Sequence, residues 1–349
     1  MNINLKMSYS ADNSAKNAKF VAMEGQVIHI GIAIAAYNAE RWLGRCIDSI
    51  RIAAEPARDA VSVSIVVADD GSTDATAEVV GRYAADNRLS ILTLPHGGQA
   101  AARAAAIAAM PGDTDFVMIV DADDTLPAAS LAQLARHIDD DVDIVCANVL
   151  KITEDGSAEP YLYMDDGDIT TLAPAEALAR MLDNVIPNYT HGMLIRRRLF
   201  DRIDWDTHPT MTNAEDAMLQ LLLTAVATGK VVVAPNVTGY EYRHRRGTLS
   251  SMDRVSSEGI ERVWRSVSRV PTMPRIPLIR WGLGLMHLYF IGRGVRIRQS
   301  YAPTRDLRRM ARHTPLDSAA HRRVLLLLRC PLLRAIVTAR HRRARIYPK

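Results

Sequence analysis

The chain reads as an α/β protein with a largely parallel sheet, on three observations. Apolar strand-like runs alternate with helix-patterned stretches four times over before residue 150. Three of these runs break into polar clusters at their carboxyl ends. The 349 residues suffice for about two to three structural units around a sizeable core.

"HIGIAIAAYN" (29–38) is the first strand-like run, and "AERWLGRCIDSI" (39–50) then sets Trp42, Leu43, Cys46, Ile47 and Ile50 on one helical face. "VSIVVADDGSTDAT" (63–76) is a buried strand that breaks at Gly71, with Asp74 as candidate N-cap of the next helix. "LSILTL" (89–94) is a third strand, "HGG" (96–98) a turn, and "QAAARAAAIAAM" (99–110) a helix by propensity. "FVMIV" (116–120) is a fourth strand, followed by a helix carrying Leu131, Leu134 and Ile138, then a fifth strand, "DIVCANVL" (143–150). Beyond it come an acidic hairpin or loop (151–171), a helix (173–184), and a strand turning into a helix (190–200). A helix opening with Glu215 and Asp216, a strand (230–234), and a basic loop (240–251) complete this part. The remainder is helical and arginine-rich, with Pro271, Pro274 and Pro277 as a hinge.

Charge is divided unevenly. Residues 261–349 hold 21 Lys+Arg against 3 Asp+Glu, a net of +18; the first 260 residues therefore carry −14 of the total +4. Two regions of opposite sign predict two jobs. Cys46, Cys146 and Cys330 are too few and too scattered for a disulfide framework or a zinc site, which predicts a reducing compartment. The first twenty residues lack the apolar core of a signal peptide, and no uncharged apolar run reaches the ~18 residues of a membrane span.

Ligands of open α/β sheets bind beyond the carboxyl ends of strands. Tyr37 and Asn38 follow the first strand, Asp69-Asp70-Gly71 the second, and Asp121, Asp123 and Asp124 the fourth. Three carboxylates within four positions repel one another, and a divalent cation relieves that repulsion.

Taken in order, "AAYNAERWLGRCIDSI", "VVADDGSTDAT", "GGQAAARAA", "VDADDTLPAASL" and "NAEDAML" resemble the motifs of the family 2 inverting glycosyltransferases of the GT-A fold, over roughly residues 27–250. The resemblance implies a Rossmann-like nucleotide-diphospho-sugar transferase domain (27–250) after a flexible lead-in (1–26), with a basic helical extension (251–349). It implies that Asp70 recognises the nucleobase, with Ala36 and Tyr37 flanking it. Arg103 is then the arginine near base and diphosphate. Asp121 lies on the ribose side, with Ala122 beside it in the donor site, and Asp123 is the principal ligand of Mn²⁺ or Mg²⁺. Glu215 and Asp216 are the catalytic pair, Asp216 being the general base. "YRHRRGTLSS" would supply His244, Arg245 or Arg246 to the diphosphate as a closing loop, with His244 also a candidate metal ligand. A carboxylate suits the base role, because the acceptor hydroxyl must lose a proton as it displaces the nucleoside diphosphate.

The chain departs from the family pattern at His96 and Ala104, where asparagines are usual, and lacks the Q-x-x-R-W motif of processive members. Transfer of one or a few sugars is therefore expected, to a glycan or lipid-linked acceptor of a bacterial surface polysaccharide or glycolipid. The leucine–arginine interleaving of 321–345 suits an anionic membrane surface, so the expected location is cytoplasmic and peripheral. No aromatic platform or nucleic-acid-binding fold accompanies that charge, and no nucleic-acid partner is expected. Asp121 and Asp123 have a plainer reading as a solvated loop after a strand, Asp124 as a helix cap or a residue behind the ligands, Glu215 and Asp216 as helix-start acids, and His191 and His208 as structural or surface residues. Two rival functions remain: a catalytically degenerate scaffold at the membrane surface, and a phosphohydrolase using "DADDT" with Asp121 as nucleophile.

Overall fold

The computed structural model describes residues 27–161, 164, 167–209, 211, 214–244, 257–287, 312, 319–330, 332, 333 and 336. The lead-in, Arg245, Arg246 and most of the tail lie outside the described residues. A nine-stranded mixed sheet forms the centre, with helices on both faces.

Four strands make its parallel half. β1 (Ile28–Ala36), β2 (Val61–Asp69), β3 (Leu89–Thr93) and β4 (Phe116–Asp121) lie in the order β3-β2-β1-β4. β1, β2 and β4 are rich in Ile and Val and buried on both faces, as central parallel strands must be. Helices α1 (Leu43–Ala54), α2 (Thr76–Gly81) and α4 (Ser130–Ala135) cover one face. α1 turns Leu43, Cys46, Ile47 and Ile50 inward, as its spacing predicts. Each such aliphatic side chain gains about 1.5–3 kcal/mol from burial. α3 (Gln99–Ala108) covers the other face. Its alanines allow close approach to β1 and β2, so Ala102, Arg103 and Ala106 are buried. Asp74 does receive the Thr76 amide (3.0 Å), although the α2 cap position is Ala75.

The other half departs from the expected parallel order. β5 (Val142–Ile152) does not lie beside β4. The four-residue strand β8 (Met193–Arg196) is inserted antiparallel between them. β8 pairs with the first two residues of β4 only. Because it runs antiparallel, the residues just before it stand beside the carboxyl end of β4. β6 (Ala158–Tyr161) forms a hairpin on β5 through Gly156, whose φ of +83° suits the turn. β7 (Thr170–Leu172) closes the far edge against β9 (Lys230–Arg243). β9 pairs parallel with β5 and runs well beyond the expected 230–234. The segment read as the start of a basic loop is strand through Arg243, because Tyr240 is buried and anchors it to the turn after β4.

α5 (Pro174–Leu182) and α6 (Glu215–Val226) lie on the α3 face. α7 (Ser257–Ser268) packs onto α6, α8 (Arg275–His287) onto α5, and α9 (Ala319–Arg329) onto α8. Trp264, Trp281, Leu283, Val324 and Leu327 join the same apolar core. α6 leads back to the amino ends of β5 and β9. There the buried carboxylate of Asp143 accepts the amides of Thr228 (2.9 Å) and Gly229 (2.7 Å) and a guanidinium N–H of Arg198 (2.6 Å).

Candidate active site

The site lies on the rim made by the carboxyl ends of β1, β2 and β4, joined by the turn before β8 and the first turn of α6. At one end is the nucleobase candidate. Asp70 follows β2, its amide held by the Ala36 carbonyl at 2.8 Å, which fixes both turns together. Its buried carboxylate accepts the amides of Gly97 (2.7 Å) and Gly98 (3.0 Å). Ala36 is buried at the end of β1, and the next residue, Tyr37, is 50% exposed and stacks on His96 with ring centroids 4.4 Å apart.

In the middle is the acidic turn after β4. Asp121 accepts a 2.5 Å hydrogen bond from Arg103 and lies 3.3 Å from His191 Nε2. Burial opposes its ionisation, but Arg103 and His191 outweigh it and hold its carboxyl well below the usual range. Ala122 is buried behind it and Asp123 is half-buried. Asp124 is buried, receiving the Tyr240 hydroxyl (2.8 Å) and the Arg243 amide (2.7 Å). Burial first, and the charges of Asp123 and Asp121 next, push its carboxyl well up. The negative potential of this turn is thus concentrated, and a cation relieves it.

At the other end are Glu215 and Asp216, opening α6. They face differently. Glu215 is buried and accepts from Arg103 (3.0 Å) and Gln99. Burial and the neighbouring Asp216 push it up to about 7, against the pull of Arg103. Asp216 has a side chain 24% exposed, so an acceptor hydroxyl can reach it. Arg103 itself is only 2% exposed and bridges Asp121 and Glu215. The structure therefore places it beneath the rim, joining two acids, and not open to a diphosphate. Its burial is tolerable because both carboxylates balance its charge; leaving either unpaired costs about 3–5 kcal/mol.

His191 is the residue that sequence reasoning passed over. Its ring lies between the acidic turn and the base candidate, with Nε2 3.3 Å from Asp121 and Nδ1 3.8 Å from Asp216. Tyr240 meets it edge-on at 5.0 Å. Burial alone would lower its pKa, but Asp121 and Asp216 overcome that and hold it up to about 9. No motif marks it; only the antiparallel insertion of β8 brings it here.

Ligand-type atoms of Asp121, Asp124 and His191 converge within 4.8 Å of one another. Asp123 and His244 do not join that convergence among the described residues. His244 follows β9, its amide on the Ile152 carbonyl (3.0 Å) and its ring against Tyr242. A turn of carboxylate oxygens with one imidazole suits a hard divalent cation such as Mg²⁺ or Mn²⁺.

Comparison with known proteins bears on the family and the fold. Residues 31–204 match Glycosyl transferase family 2. The glycosyltransferase GlyG of Streptococcus pneumoniae is 25% identical over 232 residues, 63% of this chain and 72% of GlyG. The aligned stretch spans only 35% of EpsH of Bacillus subtilis, at 29% identity over 127 residues and 36% of this chain. Among solved structures, S. aureus TarS 1–349 in complex with UDP-GlcNAc superposes with a TM-score of 0.64 at 18% identity, covering 92% of this chain and 93% of that one. Mannosyltransferase PcManGT from Pyrobaculum calidifontis, in complex with GDP-Man and Mn²⁺, gives a TM-score of 0.50 at 17% identity, covering 90% and 85%. The motif-bearing rim, the sheet that carries it and these likenesses agree: the chain belongs to glycosyl transferase family 2 and is a glycosyltransferase of the GT-A fold.

Proposed function

We propose that this glycosyltransferase moves a sugar from a UDP-sugar to a hydroxyl of a glycan or lipid-linked acceptor, with inversion, in surface polysaccharide or glycolipid synthesis. The observation that carries the reading is the order of groups along one rim. Asp70 and Tyr37 stand at one end, the Asp121–Asp124 turn in the middle, and the half-buried Asp216 at the other, joined through His191. The UDP-GlcNAc bound by TarS supports a uridine donor. A divalent metal, Mn²⁺ or Mg²⁺, held by Asp123 with its neighbours in the acidic turn, would neutralise the leaving diphosphate. His244 and Arg246 are further donor-side candidates, Arg246 lying outside the described residues.

The chain's own residues divide the remaining work. Asp70 orients the base and Tyr37 flanks it. Asp121 stands on the ribose side, fixed by Arg103. Asp216 takes the acceptor proton, while Glu215, turned inward onto Arg103, positions the start of α6. His191 holds Asp216 and Asp121 in register. Arg323, Leu326 and Arg329 of α9 are exposed, with Leu332 and Ile336 following in the chain. That mixed face supports docking to an anionic membrane, close to a lipid-linked acceptor. Among the described residues no helix is long and apolar enough to cross a membrane.

The test is Asp216→Asn. UDP binding by calorimetry should be kept while transfer falls by ~10²–10⁴-fold. Near wild-type turnover would remove Asp216 from the base role.

A further inference from the structure

The loop that opens α3 carries an aromatic side chain where it can compete with a ligand. His96 Nδ1 lies 2.9 Å from Asp70 Oδ2 and 3.1 Å from the Asp70 carbonyl oxygen. Both neighbours are acceptors, so Nδ1 carries the ring proton. The same imidazole lies nearly flat on Tyr37, at 4.4 Å and 28°. A planar ring with one N–H on Asp70 and one face on Tyr37 is in the pose that a nucleobase with a ring N–H would take there.

We propose that His96 occupies the nucleobase subsite in the nucleotide-free protein and is displaced by the base, so that it sets the affinity of donor binding. This rests on the donor reading above, in which Asp70 and Tyr37 hold the base. The other donors on Asp70 are the main-chain amides of Gly97 and Gly98, which cannot leave without moving the loop. That loop is tightly seated: a Cβ on Gly71 would come within 2.9 Å of the His96 amide nitrogen. The imidazole, by contrast, can leave by rotation about its own side-chain bonds, and 58% of that side chain is exposed. An incoming base must therefore replace the histidine's hydrogen bond and its ring contact. A base that offers a ring N–H, as uracil does, restores both. Cytosine presents a lone pair at that ring position and leaves the Asp70 carboxylate facing an acceptor. His96 thus sets one threshold that every base must clear, while Asp70 tells the bases apart.

Calorimetric titration of wild type and His96→Ala with UDP, CDP and magnesium pyrophosphate tests this. Removing the competing ring should tighten UDP binding by about tenfold, the worth of one hydrogen bond to a charged group. It should leave pyrophosphate binding unchanged and tighten CDP no more than UDP, since the same ring must be displaced for either base. Weaker or equal UDP binding by His96→Ala would overturn the inference, since a ring that helps sandwich the base, or a merely structural one, gives that result. Proton NMR of wild type supplies a readout that needs no variant. UDP should move the His96 Hε1 resonance out of the Tyr37 ring-current shift, toward the solvent value; an unmoved resonance overturns the inference. Wild type that binds neither nucleotide would overturn the donor reading itself, a result distinct from both.

Discussion

His191 shows how one side chain can join two functional elements. Its imidazolium faces Asp121 on one nitrogen and Asp216 on the other, in a pocket closed by Tyr240. Held up to about 9 in the folded chain against the ordinary 6.5, it favours the folded state by on the order of 3 kcal/mol when charged. A raised pKa stabilises below the unfolded value. The contribution is therefore full below pH 6.5 and is lost as pH rises through about 9. Urea unfolding without divalent metal should show wild type losing stability across that window while His191→Gln loses less; parallel profiles would contradict it. Nothing in the sequence signals His191, because its partners lie 70 residues before it and 25 after it in the chain. The Arg103–Glu215 pair, 112 residues apart, was equally hidden. Asp70, Asp121 and Asp216 were legible, since each is marked by a short local motif at a strand or helix end.

At the level of elements, the parallel half of the sheet was readable from β1 to β4, because hydrophobic runs and breaking turns are local signals. The insertion of β8 was not. Four residues carry too little pattern to reveal that they pair antiparallel with two distant strands. The extension of β9 was missed for a similar reason: its basic composition suggests a loop, while the cross-chain bond from Tyr240 to Asp124 decides for strand. Asp143 holds the foot of this half. Its carboxylate ties the turn after α6 to the start of β5 through two amides, with Arg198 as counter-ion. Asp143→Ala leaves those amides unsatisfied and should cost about 3 kcal/mol in denaturant unfolding. A loss under about 0.5 kcal/mol would show that the turn is held by other means.

Across the whole molecule, charge divides the candidate site from the tail, while packing joins them. The tail is strongly basic, yet α7, α8 and α9 also bury Trp264, Trp281 and Val324 in the common core, so cutting at residue 270 would remove core as well as charge. Charge reversal at exposed Arg323 and Arg329 is the cleaner probe. It should weaken binding to anionic vesicles, and wild-type binding should itself fall with added salt. Equal binding to neutral vesicles would contradict an electrostatic role. The central claim is metal-dependent transfer from a nucleotide sugar. Its most direct test is a panel of nucleotide sugars incubated with the full chain and Mn²⁺ or Mg²⁺, read as released nucleoside diphosphate. The account predicts release from a UDP-sugar, suppressed by EDTA and by Asp123→Ala. No release from any donor, together with no metal-dependent UDP binding by calorimetry, would contradict it.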